Sequence, residues 1–255
     1  MHGYLGLVVP VRRDEEICAL KISWPDESTA YEIAALAAWD GHGAVRLLAA
    51  DHARRAILLE RLDGGRSLAD LPLDEALRVA AGLVRRLAIP GPAGLPRLAD
   101  VAGELAESMP ARWEALGRPI PRLQIDAARD AALALGPTAA ALLVNWDLHY
   151  ENVLAGGREP WLAIDPKALV GDPEYGVAQL LWTRLEEMEA SGGLARHFDA
   201  LVEVAGLDRG LAHAWTLVRC VDYCLWALGV GLTEDPVRCV RIADWLLGNR
   251  LEAGT

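Results

Sequence analysis

The chain changes its hydrophobic period once, near residue 62, and that change constrains the fold more than any other feature. Ahead of it, "LGLVVPV" (5–11) and "ICALKIS" (17–23) are β-rich runs joined by the charged turn "RRDEE". "AVRLLAA" (44–50) and "RRAILLE" (54–60) repeat the pattern around Asp51-His52. Each pair predicts a hairpin, and Pro10 restricts the first run to an edge or a bulge. Between the hairpins a helix is expected from Ser28-Thr29 to Trp39, opened by a capping box with Glu32 three residues after Thr29 and stopped by "GHG". The first part therefore reads ββαββ. Beyond the turn-rich "LDGGRSLADLP" (62–72), helical periodicity marks about 73–89, 100–116 and 123–135, then 174–190, 194–205, 208–229 and 235–250. Two short strands are expected around 140–144 and 161–164. The class is α+β: a small β-rich N-terminal lobe over 1–61, a linker over 62–65 and a larger, mainly helical lobe over 66–255.

At 255 residues the chain can bury a substantial core without staples. Its four cysteines show no CxxC pair, and Cys220 and Cys224 stand i,i+4 on a helix, so all four read as small buried apolar residues in a reducing compartment. The N-terminus lacks the basic and apolar regions of a signal peptide, and every apolar run is broken before it could span a bilayer. No membrane partner is expected, and the cytoplasm is the expected location. The net charge of −11 and pI near 5.0 offer no basic stripe for nucleic acid. A small cationic molecule would suit that field.

The segment "VNWDLHYENVLAG" (144–156) sets Asp147, His149 and Asn152 between apolar runs. Buried strands do not carry that much polarity, whereas a loop that does chemistry does. Transfer of a phosphoryl group from a nucleotide needs a carboxylate near the accepting hydroxyl, a short polar ligand for a metal ion, and a second carboxylate between metal and phosphates. Asp147, Asn152 and Asp165 in "WLAIDPK" supply these in order, and an Asn plus Asp pair suits magnesium. His149 reads as a residue that braces the loop.

"DLHYENVL" followed by "WLAIDPKALVGDPEYG" resembles the phosphotransferase loops of aminoglycoside kinases, in particular the streptomycin-kinase and hydroxyurea-phosphotransferase group, and the resemblance covers nearly the whole chain. It implies a two-lobed, protein-kinase-like fold, ATP with Mg2+, and O-phosphorylation of a small hydroxylated compound. Asp147 would be the catalytic base, with Asn152 and Asp165 on the metal. Such loops usually open His-Gly-Asp, where this chain has Asn145 and Trp146.

Other site residues follow from their settings. Lys21 lies in the middle of an apolar strand, where a charge is expensive unless paired; it is the candidate grip on the nucleotide phosphates, held by Glu32. "ILLERL" (57–62) resembles a hinge whose backbone at Glu60, Arg61 and Leu62 would meet adenine. Gly3 and Gly6 are the candidates for a loop over the phosphates, but no strand is readable ahead of them, so the N-lobe is expected to lack its first strand. Lys167 is a candidate for phosphate or substrate. Asp172 is expected to cap a helix opening at Pro173, and Glu234 with Asp235 to cap the last helix. Asp222, flanked by Tyr223 and Trp226, is a candidate for an amino or guanidino group of the acceptor. The expected substrate is an aminoglycoside of the streptomycin type; hydroxyurea is the alternative. A reading from a different class, suggested by the short N-terminus and by Asn145-Trp146, is a catalytically weak nucleotide- or ligand-binding homologue.

Overall fold

The structure is a computed structural model and describes residues 2–3, 6–24 and 31–248. Its N-terminal sheet has the order β1-β2-β3-β5-β4, built from His2–Gly3, Gly6–Arg13, Glu16–Ser23, Leu47–Asp51 and Ala56–Glu60 in chain order β1 to β5. All its pairings are antiparallel, with β3 between β2 and β5. The sequence offers no strand ahead of Gly3; the structure pairs β1 with β2 over two residues only, at His2↔Leu7 and Gly3↔Gly6. Among the described residues β2 is thus the sheet's edge from Val8 onward, which is where Pro10 can be tolerated.

Helix α1, Glu32–Trp39, packs under this sheet through Leu36 and Trp39, both buried. The expected cap at Thr29 lies outside the described residues. Tyr31 at the N-cap position makes no side-chain cap bond, and Glu32 is committed elsewhere. The Trp39 indole donates to the Leu87 carbonyl (2.9 Å), which ties α1 to the helical lobe.

The chain leaves the first sheet after Glu60 and enters a second one at once. Asp63–Ser67 (β6) pairs with Val153–Ala155 (β8), which pairs with Trp161–Ala163 (β9). Most of the expected 62–65 linker is therefore strand. Leu142–Asn145 (β7) and Ala168–Gly171 (β10) form a separate antiparallel pair. The helices are Leu73–Leu87 (α2), Leu98–Ala115 (α3), Arg122–Leu135 (α4), Ala178–Trp182 (α5), Leu185–Ala190 (α6), Leu194–Ala205 (α7), Arg209–Gly229 (α8) and Glu234–Leu246 (α9). The single helix expected over 174–190 is a 3-10 turn at Pro173–Gly176 followed by the short α5 and α6.

Helix α8 is the axis of the lobe, with Trp215, Val218, Val221 and Cys224 among its buried residues. The four cysteines are free and buried, as the sequence implies. Asp172 does stand at the N-cap position before Pro173, but its carboxylate makes no cap bond. It accepts instead from the Ala140 N–H (2.7 Å) and the Trp215 indole (2.8 Å), the latter fully buried and in need of an acceptor. Likewise Asp235 takes the Tyr223 hydroxyl (2.9 Å) and Arg238 (3.1 Å) rather than a helix N–H.

Candidate active site

Asn145 closes β7, and its register partner Ala168 opens β10. The Trp146 N–H still reaches the Lys167 carbonyl (3.0 Å), and beyond that point the two chains part. Leu148 and Tyr150 turn inward and are buried, which leaves Asp147 and His149 partly accessible. The Tyr150 hydroxyl donates to the Leu180 carbonyl (3.0 Å), and burial pushes that phenol's pKa well up. The loop is then held by its own short polar side chains: the Asp147 N–H donates to Asn145 Oδ1 (3.2 Å), and Asn152 Nδ2 donates to the Asp147 carbonyl (3.2 Å). Gly176 runs directly beneath, where a Cβ would lie 2.7 Å from the Asn145 carbonyl oxygen. Burial holds His149 below the ordinary histidine pKa, against the pull of Asp147 and other nearby carboxylates.

The second part of the site joins three elements. Lys21, buried on β3, sets its Nζ 2.7 and 2.8 Å from the two Glu32 oxygens and 2.5 Å from Asp165 Oδ1. Burial disfavours the Lys21 ammonium, but Glu32 and Asp165 outweigh it and hold the pKa above the ordinary lysine value. Two backbone bonds set the register of this contact. After α1 the chain bonds to β9, with Val45 N–H on the Ala163 carbonyl (2.8 Å) and Ala163 N–H on the Gly43 carbonyl (3.0 Å). The end of β9 is thereby fixed against the helix that carries Glu32. One residue later the Ile164 N–H donates to the Asn152 carbonyl (2.9 Å), which puts Asp165 next to the Asp147 loop.

Asp165 itself has φ of 49°, a left-handed conformation. That costs a non-glycine residue roughly 1–2 kcal/mol, least for Asn and Asp. The carboxylate stays about half exposed, at 52%. With Oδ1 on Lys21, Asp165 keeps Oδ2 as an acceptor, and Asn152, whose Nδ2 donates to the Asp147 carbonyl, keeps its Oδ1. Two hard oxygen donors on adjoining backbone fit a magnesium ion that takes its other ligands from phosphate and water.

Beside Asp147 a cavity of about 790 Å³ opens between α3 and α8. Trp146, Asp147, Lys167, Asp222, Tyr223 and Trp226 all line it, together with Arg112, Gln179 and Arg219. Lys167 Nζ lies 3.8 Å from Asp147 Oδ2 and 5.2 Å from the centre of the Trp146 ring. Tyr223 stacks on Trp182 at 4.6 Å and meets Trp226 at 5.4 Å, so an aromatic run leads from the core to the exposed Trp226. Asp222 is not a bare carboxylate: Arg112 donates to it (2.7 Å) and Arg219 Nη1 lies 3.6 Å away.

Of the remaining expected residues, Gly3 and Gly6 face each other at the first hairpin, whose turn residues 4–5 lie outside the described residues. A Cβ on Gly6 would come within 3.0 Å of the Ile22 carbonyl. Glu60 is committed to structure: its carboxylate holds the Arg46 N–H (2.8 Å) and Arg158 (2.7 Å), and its own N–H donates to the Arg46 carbonyl. Leu62 is buried. Sequence reasoning missed Arg112 and Arg219. Arg219 carried a signal, since it is a charge in an apolar stretch three residues before the Asp222 already singled out; Arg112, on an amphipathic helix, carried none.

The family model for aminoglycoside/hydroxyurea antibiotic resistance kinases matches residues 1–231. The streptomycin 6-kinase of Streptomyces griseus is 43% identical over 251 residues, covering 96% of this chain and 82% of that protein. The hydroxyurea phosphotransferase of Kitasatospora aureofaciens is 46% identical over 256 residues, covering 97% and 73%. Among solved structures, an aminoglycoside phosphotransferase in ternary complex with AMP-PNP and hygromycin B aligns with a TM-score of 0.66 at 19% identity, over 100% of this chain and 93% of that one. A choline kinase from Streptococcus pneumoniae aligns at 0.61 with 13% identity, over 95% and 90%. These two establish the kinase-like fold; the family model and the two sequence relatives show that the chain belongs to the aminoglycoside/hydroxyurea antibiotic resistance kinase family.

Proposed function

We propose that the chain is an ATP- and magnesium-dependent O-phosphotransferase that modifies a small hydroxylated antibiotic, and that the acceptor is an aminoglycoside of the streptomycin type. The observation that carries the reading is the Lys21 contact with Glu32 and Asp165, which ties a buried cation of the N-terminal sheet to the carboxylate beside the Asp147 loop. In this reading residues 1–61 hold the nucleotide, with Lys21 on its phosphates and Gly3 and Gly6 letting the backbone approach them. The backbone of Arg61 and Leu62 meets the adenine edge, while Glu60 braces the crossing through Arg46 and Arg158. Asn152 and Asp165 would hold magnesium, which would supply positive charge against the phosphates.

Asp147 orients the acceptor hydroxyl and receives its proton as the new O–P bond forms and the bond to the leaving ADP oxygen breaks. Lys167, beside Asp147 and inside the cavity, contacts the group in transfer or the acceptor. Residues 66–255 supply the acceptor site. No helix among the described residues is long and apolar enough to cross a membrane, in keeping with a cytoplasmic enzyme.

The cavity of about 790 Å³ suits a drug-sized acceptor. Hydroxyurea is the second reading, favoured by one observation: the cavity's charged lining is Arg112, Lys167 and Arg219 against Asp147 and Asp222, a surplus of one positive charge. An ATP-consumption assay with magnesium over streptomycin and hydroxyurea tests the proposal. Consumption that depends on either acceptor supports it, and consumption with neither favours a nucleotide- or ligand-binding homologue.

A further inference from the structure

The cavity holds one carboxylate besides Asp147, and an arginine of the protein already occupies it. Arg112, on α3, donates through Nη1 to Asp222 Oδ1 (2.7 Å) and through Nη2 to the Asp222 main-chain carbonyl (2.9 Å). Arg219 approaches the other oxygen, with Nη1 3.6 Å from Oδ2. These two cations are built differently. The Arg219 side chain is 5% exposed, its guanidinium lies 4.8 Å from the Trp146 ring centre and 5.1 Å from that of Tyr175, and its Nη2 points at the Trp146 carbonyl (3.4 Å). It is a fixed part of the floor under Asp147. Arg112 reaches in from the opposite helix, is 31% exposed, and its side-chain hydrogen bonds among the described residues go to Asp222 alone.

The setting of Asp222 is otherwise that of a cation seat. Trp226 follows it by one helical turn on α8, so both lie on the same face, and Trp226 is exposed at the cavity wall with Tyr223 beside it. A carboxylate beside an exposed aromatic ring such as Trp226 attracts an ammonium or guanidinium group. In this chain that seat is filled from within, by a group with the planar fork of donors that an acceptor's guanidino group would bring.

We propose that Arg112 is a specificity-determining residue: its guanidinium occupies the cation seat at Asp222, so an uncharged acceptor enters without competition, whereas a guanidino- or amino-bearing acceptor must displace Arg112. The inference rests on the reading of this cavity as the acceptor site. Discrimination then comes from a repulsive element built into the pocket, not from an added contact. Replacing Arg112 turns the lining from one surplus positive charge to balance and opens Asp222 Oδ1, with Arg219 still 3.6 Å from Oδ2.

The test is calorimetric titration of the full chain with streptomycin, which carries guanidino groups, in wild type, Arg112→Ala, Asp222→Asn and the double variant. Arg112→Ala is expected to tighten streptomycin binding roughly tenfold, equivalent to about 1.4 kcal/mol, while Arg112→Lys stays near wild type. The gain should vanish in the Asp222→Asn background, which a general loosening of the pocket would not produce. Unchanged or weaker binding in Arg112→Ala, no binding in either protein, or a gain that persists without Asp222 overturns the proposal. Should Arg112→Ala fail to fold, Arg112→Gln carries the same expectation. Turnover is read separately with streptomycin and hydroxyurea: if neither is phosphorylated the phosphotransferase reading fails, while the titration still decides the role of Arg112.

Discussion

The two sides of Asp147 handle charge in opposite ways. On the nucleotide side, Lys21, Glu32 and Asp165 form a closed set in which two members are buried and each charge has a partner within 2.8 Å. On the acceptor side, Arg112, Asp222 and Lys167 are partly exposed around an open cavity, with Arg112 2.7 Å from Asp222 and Lys167 3.8 Å from Asp147. A buried ionic set tolerates no vacancy, since removing one partner leaves an uncompensated charge in low dielectric. A partly exposed set can exchange a partner for a ligand. The difference teaches that the first set resists the loss of any member, whereas the second can change a partner without breaking the fold.

The largest effect should come from between the two sides. Asp147→Ala is expected to lower kcat by about 100- to 10,000-fold with an unchanged melting temperature, because the side chain lies on a loop held by Leu148 and Tyr150; a near-normal rate would remove Asp147 from the chemistry.

Next is Lys21→Met, which leaves Glu32 buried without its cation and should cost about 3–5 kcal/mol of stability as well as activity. Adding Glu32→Gln should recover part of the stability and none of the activity. If Lys21→Met melts like the wild type in urea, the nucleotide side is not the closed set described above.

A smaller effect is expected at the acceptor side. Trp226→Ala should raise the acceptor KM several-fold, in keeping with about 1 kcal/mol for an aromatic contact at an exposed site, with the ATP KM and the melting temperature unmoved. A change in the ATP KM would mean that the two sides are not separable.

The smallest effect belongs to His149. Burial holds it below the ordinary value of 6.5, so between those two pKa values the unfolded chain binds a proton that the folded chain does not. Stability therefore falls as pH is lowered through that window. His213 contributes in the same direction, so the informative quantity is the difference between wild type and His149→Gln. Denaturant midpoints from about pH 7 down to pH 5 should fall less steeply in the variant, and parallel curves would contradict the burial argument.

The nucleotide side was largely legible in the sequence. Lys21 in an apolar strand had to be paired, and the nearest following acid on a helix, Glu32, is the residue it meets. Asp147, Asn152 and Asp165 were legible because loop chemistry places short polar groups at fixed spacing, here reinforced by the family resemblance. The acceptor side was half legible: Asp222, Tyr223 and Trp226 stood out on one helix, but the arginine that occupies Asp222 lies 110 positions away. No local period reports a pairing at that range. The same limit explains Asp172, whose capping position was read correctly while its bond to Trp215, 43 positions on, was not. Strands β6 and β8 escaped because a few residues beside glycines show no alternation; their pairing exists only once the Asp147 loop is in place.

Mass spectrometry of streptomycin after incubation with the chain, ATP and magnesium tests the central claim most directly. The account predicts an acceptor heavier by one phosphoryl group, bound through a hydroxyl oxygen, and an unmodified acceptor when Asp147→Ala replaces the wild type. Hydrolysis of ATP with the acceptor unmodified, or equal product from Asp147→Ala, would contradict it.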